Sequence, residues 1–336
     1  MRSRILVTGA AGFVGSHLSG ALLARGDEVV GVDNFDDYYS PARKRANIEE
    51  IRQGPGGERF TLIEGDIRDR DLVTKLLRDG FHAVAHLAGL AGVRASVDRP
   101  HAYVEVNVGG TLNVLEAARH APVRNLVITS TSSAYGNSRP PFVETDPADR
   151  PLAPYAATKR AAEMLAHSYH HIYGLNTTVL RLFTVYGPRN RPDMMSYKVL
   201  DSIFTGKEIP LFGGGEMVRD WTYVEDTVRG IVTALDRPLG FEIMNLGRGK
   251  PIRLMEFIET IEELAGRKAN LAPAPRVDTD ALATGADIGK ARRLLGYEPR
   301  VSVREGAERL VSWYVDRIAS QTSGEAHPKL RIAHQS

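Results

Sequence analysis

Apolar residues along the chain fall into short unbroken runs separated by segments of helical spacing. RILVTG (residues 4–9) is a compact, partly β-branched apolar run. GSHLSGALLARG (15–26) has apolar positions spaced for one helical face and stops at Gly26, and DEVVGVD (27–33) is a second buried run. These three segments predict a β-α-β unit. The pattern repeats as RFTLIEGDI, a helix over RDLVTKLLRDG, a strand at HAVAHLAG, a helix from about Ala102 to His120, and a strand at RNLVITSTSSAYG. Apolar strands alternating with amphipathic helices predict an α/β fold whose parallel sheet is covered on both faces.

From about Phe183 the regularity fades, with Gly213, Gly214 and Gly215 in a row and APAPR further on. VEDTVRGIVTALD and FEIMNLG interrupt this half as a helix and a strand that can rejoin the main sheet. The expected division is a dinucleotide-binding domain over 1–182 with 225–248 rejoining it, and a smaller substrate domain over 183–224 and 249–318. The last segment, 320–336, lacks periodicity and is expected to be a mobile tail.

Composition narrows the partners. The chain has 336 residues, 43% of them hydrophobic, enough for a sizeable core. Its 43 basic and 41 acidic residues are scattered, which gives no electrostatic support for nucleic acid or a membrane surface. The absence of cysteine excludes disulfides, thiol catalysis and cysteine metal sites, and suits a reducing compartment. MRSRILVTGAAGFVGSH does not read as a signal peptide, and no run of about 18 apolar residues occurs. The expectation is a cytoplasmic protein with a small-molecule partner and no metal.

Gly9, Gly12 and Gly15 in TGAAGFVG stand between the first strand and the first helix. Glycines there allow a tight turn, let a pyrophosphate approach the main chain, and leave the helix N-terminus facing its charge. Asp33 ends the second strand, where a carboxylate accepts hydrogen bonds from a ribose diol and repels a 2′-phosphate, so NAD is favoured over NADP. Arg43, Lys44 and Arg45 weigh against that preference unless they form a solvated helix face. Asp66, after the third strand, suits either an adenine contact or a helix cap. Further along, Pro154 and Tyr155 open a helix, and Lys159 falls one turn later on the same face. A cation beside a phenol stabilises the phenolate, so this pair can do acid/base work. The preceding TSTSS supplies hydroxyls.

At these residues the chain resembles the extended short-chain dehydrogenase/reductases, up to about Arg317. The resemblance implies a Rossmann-type domain, with Tyr155 as general base, Lys159 holding the nicotinamide ribose and depressing the tyrosine pKa, and Thr131 sharing the substrate proton. It also implies NAD contacts at Phe13, Asn34, Ile67, Leu87, Ala88 and Asn107, a homodimer built on two helices, and a nucleotide-sugar substrate. RDWTY places Arg219 where the family arginine meets the nucleotide diphosphate, against the plainer reading of a surface pair with Asp220.

Within that family, 4,6-dehydratases carry an Asp-Glu pair where Ser132 and Ser133 stand, and UDP-glucuronate decarboxylases typically place Glu at the Ser133 position. UDP-glucose 4-epimerases generally have Asn after the RxF motif, where this chain has Thr184. FTVYGPRNRPDM (183–194) and AGLAGVRAS around Arg94 are similar to the signatures of UDP-glucuronate 4-epimerases. That resemblance implies that Arg191 meets the sugar carboxylate of UDP-glucuronate or UDP-galacturonate, with Ser132, Ser133 and Thr184 completing the cradle. Arg191 is expected to offer bidentate recognition; the plainer reading pairs it with Asp193 in solvent. Decarboxylation, glucose epimerisation, net oxidoreduction and non-catalytic NAD sensing are the alternatives.

Overall fold

The computed structural model describes residues 3–322, so the expected tail lies outside the described residues beyond Thr322. In chain order the strands are β1 (Arg4–Thr8), β2 (Glu28–Asp33), β3 (Phe60–Glu64), β4 (Ala83–His86), β5 (Asn125–Thr131), β6 (Thr177–Leu182), β7 (Thr184–Tyr186), β8 (Ile209–Phe212), β9 (Val218–Arg219), β10 (Trp221–Tyr223), β11 (Phe241–Leu246), β12 (Ile252–Arg253) and β13 (Leu271–Ala274). Seven form one sheet in the order β11-β6-β5-β4-β1-β2-β3, every pair parallel. FEIMNLG thus rejoins the sheet, as β11 beside β6.

Alternation along each strand divides the core into two layers. Ile5, Val7 and Val29 face one cluster with Leu18, Leu22 and Ile231, from the helices Phe13–Arg25 and Val224–Asp236. Leu6, Val30, Val84 and Leu126 face the other with Leu77, Leu115 and Ala166, from helices that include Arg70–Arg78, Thr111–Ala118 and Pro154–Tyr173. Both faces of the strands are therefore buried, which is why the runs read as continuous apolar stretches. This is the Rossmann-type α/β fold. The chain winds from β1 to β3 toward one edge and from β4 to β11 toward the other. The reversal between β1 and β4 opens a crevice at the strands' C-terminal ends.

Two expected elements differ in detail. The helix expected from Ala102 to His120 is helical in three pieces, Pro100–Tyr103, a wider π turn over Val104–Gly110, and Thr111–Ala118. The strand at RNLVITSTSSAYG stops at Thr131, because the Thr131 hydroxyl accepts the Ser133 N–H at 3.1 Å and turns Ser132–Tyr135 into a 3₁₀ turn.

His86, at the end of β4, is fully buried between the Thr8 hydroxyl at 2.8 Å and the Thr111 hydroxyl at 3.0 Å. Burial, with the Lys159 charge, lowers its pKa to about 3. The folded protein therefore holds His86 neutral where the unfolded chain, near 6.5, takes up a proton. The stability this contributes is present above about pH 6.5 and is lost as pH falls toward 3, at up to about 1.4 kcal/mol per pH unit. In urea denaturation between pH 7 and 5, wild type should lose stability faster than His86→Gln, which keeps both threonine partners within reach but does not titrate. Parallel pH profiles for the two proteins would refute this.

Candidate active site

The crevice widens into a cavity of about 790 Å³, lined by the ends of β1, β4 and β5 and by loops that follow β7 and β13. At one end, glycine is obligatory for two separate reasons. Gly9 has φ +73 and a Cβ there would lie 2.8 Å from the Ala88 nitrogen; a Cβ on Gly15 would lie 2.0 Å from the Gly9 carbonyl oxygen. The helix Phe13–Arg25 begins at Gly12 without a side-chain cap, leaving its first N–H groups available to an anion.

The Asp33 carboxylate accepts from Ala11 N at 3.1 Å and Phe35 N at 2.9 Å, and burial raises its pKa. Lys44 corrects an expectation. Far from being on a solvated face, it is buried, donates to the Asp36 carbonyl at 2.8 Å, and lies 3.9 Å from Asp33. Its neighbours Arg43 and Arg45 lie over the rings of Tyr197 and Phe35. Asp66 is not a helix cap either, since Asp69 accepts from Asp71 N and Leu72 N at the start of Arg70–Arg78. Hydrogen bonds from Arg68, and one from Asn34 at 2.9 Å, hold Asp66 at a pKa of about 2 while it lines the cavity. Phe13, Ile67, Leu87 and Ala88 line it as well; Asn107 does not. Asn107 stands behind the wall, exchanging hydrogen bonds with Leu90 N at 2.8 Å and Leu90 O at 3.0 Å, so it shapes the loop after β4. The glycine turn, the uncapped helix and the carboxylates beyond it fit a dinucleotide.

The middle of the cavity gathers Thr131, Tyr155 and Lys159. Burial lowers the Lys159 pKa to about 8, opposed by the charge of Glu163. Burial raises the Tyr155 pKa, and the groups acting against it are the Thr131 hydrogen bond and the Arg191 charge. The Tyr103 ring meets Tyr155 edge-on at 6.2 Å between centroids.

Ser132, Ser133, Thr184 and Arg191 line the next stretch. Arg191 is paired with Asp193, through Nε at 2.9 Å and Nη2 at 3.0 Å, but inside the cavity and not in solvent. One of its two bidentate edges, the Nε–Nη2 side, is therefore already used. Arg189 is turned away: it sits at φ +61, pairs with Glu50 at 2.6 Å, and does not line the cavity. At the far end Arg94 pairs with Asp280 at 2.6 Å and lies 3.8 Å over the Phe212 ring. Arg219 does not pair with Asp220. It donates to the carbonyls of Val218 at 2.8 Å and Leu282 at 3.3 Å, while Asp220 is buried under the N–H groups of Arg248, Gly249 and Ala286. Buried polar atoms of Trp221, Thr279 and Thr284 in this lining lack a partner among the described residues, as a site for a polar ligand requires. Tyr38, Asp193, Lys198 and Asp280 are among the polar lining residues that sequence reasoning missed, and of these four only Asp193 lay in a quoted motif. Among the described residues no cluster of His, Asp or Glu can hold a metal, and no helix is long and apolar enough to cross a membrane.

Comparison with known proteins accounts for this arrangement. UDP-glucuronate 4-epimerase of Thermodesulfobacterium geofontis is 44% identical over 315 residues, 93% of this chain and 96% of that protein. The crystal structure of UDP-glucuronic acid 4-epimerase from Bacillus cereus, in complex with UDP-glucuronic acid and NAD, superposes with a TM-score of 0.87 at 37% identity, covering 94% of this chain and 99% of that one. UDP-glucose 4-epimerase of Thermotoga maritima with UDP-glucose gives 0.85 at 30% identity, covering 94% and 99%. The sequence profile of one family matches residues 5–247, well over half the chain, and with these relatives it shows that the protein belongs to the NAD dependent epimerase/dehydratase family.

Proposed function

We propose that the protein interconverts UDP-glucuronate and UDP-galacturonate by inverting C4 through a 4-keto sugar, with NAD as its resident cofactor. The observation that carries this reading is the convergence of Tyr155, Thr131 and Arg191 in one cavity whose hydroxyl residues, Ser132 and Ser133, stand where a dehydratase or decarboxylase would need a carboxylate. The relatives named as UDP-glucuronate 4-epimerases support it across nearly the whole chain.

Bound NAD would supply the hydride acceptor and donor for C4, on opposite faces of the sugar. The chain's own residues do the rest. Tyr155 takes the proton of the 4-hydroxyl and Thr131 hydrogen-bonds the phenol; Lys159 is cationic at neutral pH, and a neighbouring cation favours the ionised phenol. Arg191, with Ser132, Ser133 and Thr184, receives the sugar carboxylate, Arg219 faces the diphosphate, and Arg94 contributes to the substrate site. Gly9, Gly12, Gly15, Asp33 and Asp66 hold the cofactor. Residues 1–182 with 225–248 form the cofactor domain, and 183–224 with 249–318 the sugar-nucleotide domain. The reaction is placed in the cytoplasm, which suits a chain without cysteine.

The protein is further proposed to act as a homodimer. Val97, Val104 and Leu112 from the 95–118 segment, and Met164, Ile172 and Tyr173 from the helix Pro154–Tyr173, are large apolar residues left exposed, up to 64% at Ile172. Two copies pairing these segments would cover them. Light scattering at micromolar concentration should give twice the mass of one chain; a monomer would count against the pairing.

The decisive experiment is NMR of UDP-glucuronate incubated with purified protein and no added cofactor. UDP-galacturonate should appear, whereas CO₂ with a pentose product would identify a decarboxylase. Tyr155→Phe should cut turnover by at least about 100-fold with UDP-sugar binding nearly intact, since a positioned acid/base group contributes 10²–10⁴-fold. Retention of more than about a hundredth of the wild-type rate would remove Tyr155 from the role of base. Arg191→Ala should weaken UDP-glucuronate binding by about 1.5–3 kcal/mol, roughly 10- to 150-fold, leave UDP-glucose binding unchanged, and release some pentose product. Unchanged glucuronate affinity without pentose would shift the carboxylate contact to another arginine.

A further inference from the structure

A carboxylate beside the arginine that is meant to receive a carboxylate calls for an explanation. Asp193 takes Nε and Nη2 of Arg191, at 2.9 and 3.0 Å, and its Oδ2 also accepts the Tyr38 hydroxyl at 3.1 Å. All three line the cavity that contains Tyr155. Tyr38 is itself wedged. A Cβ on Gly92 would lie 2.1 Å from the Tyr38 oxygen, so only glycine, here at φ +99, lets the phenol pass. The Tyr103 hydroxyl fixes that loop by donating to the carbonyls of Ala91 at 2.6 Å and Gly92 at 3.1 Å. Burial raises the Tyr38 pKa, keeping the phenol a neutral donor.

A loop ion pair made only for stability would not need a second, half-buried donor threaded past a glycine. The arrangement also works against simple attraction, since Asp193 offsets much of the positive charge that an anionic sugar would meet. What it provides is orientation. We propose that Asp193, clamped by Tyr38, is a positioning residue for Arg191: by occupying its Nε–Nη2 side it leaves the Nη1 edge to the substrate carboxylate, and so fixes rotation about C5–C6 while C4 is a ketone. This inference rests on the functional reading above.

The rotation matters because a 4-keto glucuronate is a β-keto acid. If the C5–C6 bond aligns with the C4 carbonyl π system, its electron pair moves into the carbonyl to give an enolate, C6 leaves as CO₂, and C5 takes a proton from solvent. A carboxylate held to one edge of a fixed guanidinium stays out of that alignment. A guanidinium free to turn follows the carboxylate and permits it.

The test uses full-length Asp193→Asn and Tyr38→Phe proteins with UDP-glucuronate labelled at C6, measuring CO₂ released per epimerisation, KM, and the Kd of UDP-glucose. Asp193→Asn should lower the KM for UDP-glucuronate by roughly threefold to tenfold, because a like charge is removed. It should also raise the CO₂ share at least about tenfold over the wild-type value or its detection limit. Tyr38→Phe should raise the CO₂ share less and leave KM within about twofold. The Kd of UDP-glucose should not move in either variant. A CO₂ share equal to wild type in both variants overturns the proposal, as does an Asp193→Asn protein that binds both sugars equally poorly, the mark of a mere strut. If Asp193→Asn does not fold, the CO₂ share of Tyr38→Phe decides alone. Wild type that makes no UDP-galacturonate refutes the functional reading, whereas wild type that does so beside unaltered variants refutes only this inference.

Discussion

The buried ion pair between Glu163 and Arg181 is the contact on which the site's geometry depends. Glu163 is on the helix Pro154–Tyr173 and Arg181 on β6; their side chains are 0% and 1% exposed and meet at 2.7 and 3.0 Å. The Ser130 hydroxyl on β5 donates to the same carboxylate at 2.5 Å and Arg160 adds a bond at 2.9 Å. Breaking such a pair by removing one partner strands a buried charge, at about 3–5 kcal/mol. Its larger effect is geometric. Tyr155, Lys159 and Glu163 are spaced by four residues on one helix, so pinning Glu163 to β5 and β6 sets the rotation of the helix that aims the other two into the cavity. Arg181 also lies 4.5 Å over the Tyr135 ring, and the Tyr135 hydroxyl donates to Asn245 of β11 at 2.7 Å. One charge pair thus registers the catalytic helix, two central strands, the edge strand and the turn that carries Ser132 and Ser133.

What the sequence made legible was whatever local spacing encodes. A parallel sheet buried on both faces turns strands into continuous apolar runs, so β1, β2, β4, β5 and β11 were visible, as was the helix Val224–Asp236. Gly9, Gly12 and Gly15 were legible because the turn they build is made by neighbours in the chain. Asp66 was ambiguous between ligand contact and cap because Asp69, three residues later, satisfies the same capping logic, and only coordinates show which one accepts the helix N–H groups. Lys44 was misread because three consecutive basic residues on a helix look solvated, while the Asp36 carbonyl and Asp33 draw its ammonium inward.

What stayed hidden was contact across long separations. Tyr38 and Asp193 are 155 residues apart, and Arg94 and Asp280 are 186 apart. Neither pairing leaves a periodic trace. Asp280 comes from an irregular stretch after β13 with no pattern to mark it. The effect of Arg191 on Tyr155 was invisible for the same reason.

The charges around the cavity follow a division that bears on how such a site can be selective. Arg191 and Arg94, in the stretch beyond the middle and at the far end, each carry their own carboxylate, in Asp193 and Asp280. Among the described residues Arg219 has no ion-pair partner, and its terminal nitrogens lean on backbone carbonyls instead. Pairing a cation lowers the attraction it exerts on any anion, but it removes the side chain's freedom to choose where it points, a cost of rotamer entropy otherwise met when ligand binds. The gain is therefore in geometry and not in affinity. A reaction that passes through a ketone next to a carboxylate depends on angles more than on binding strength, so paired cations suit the reacting end of the site. A diphosphate spreads charge over several equivalent oxygens and asks for attraction more than for direction, which suits an arginine such as Arg219, anchored by neutral carbonyls and keeping its full charge.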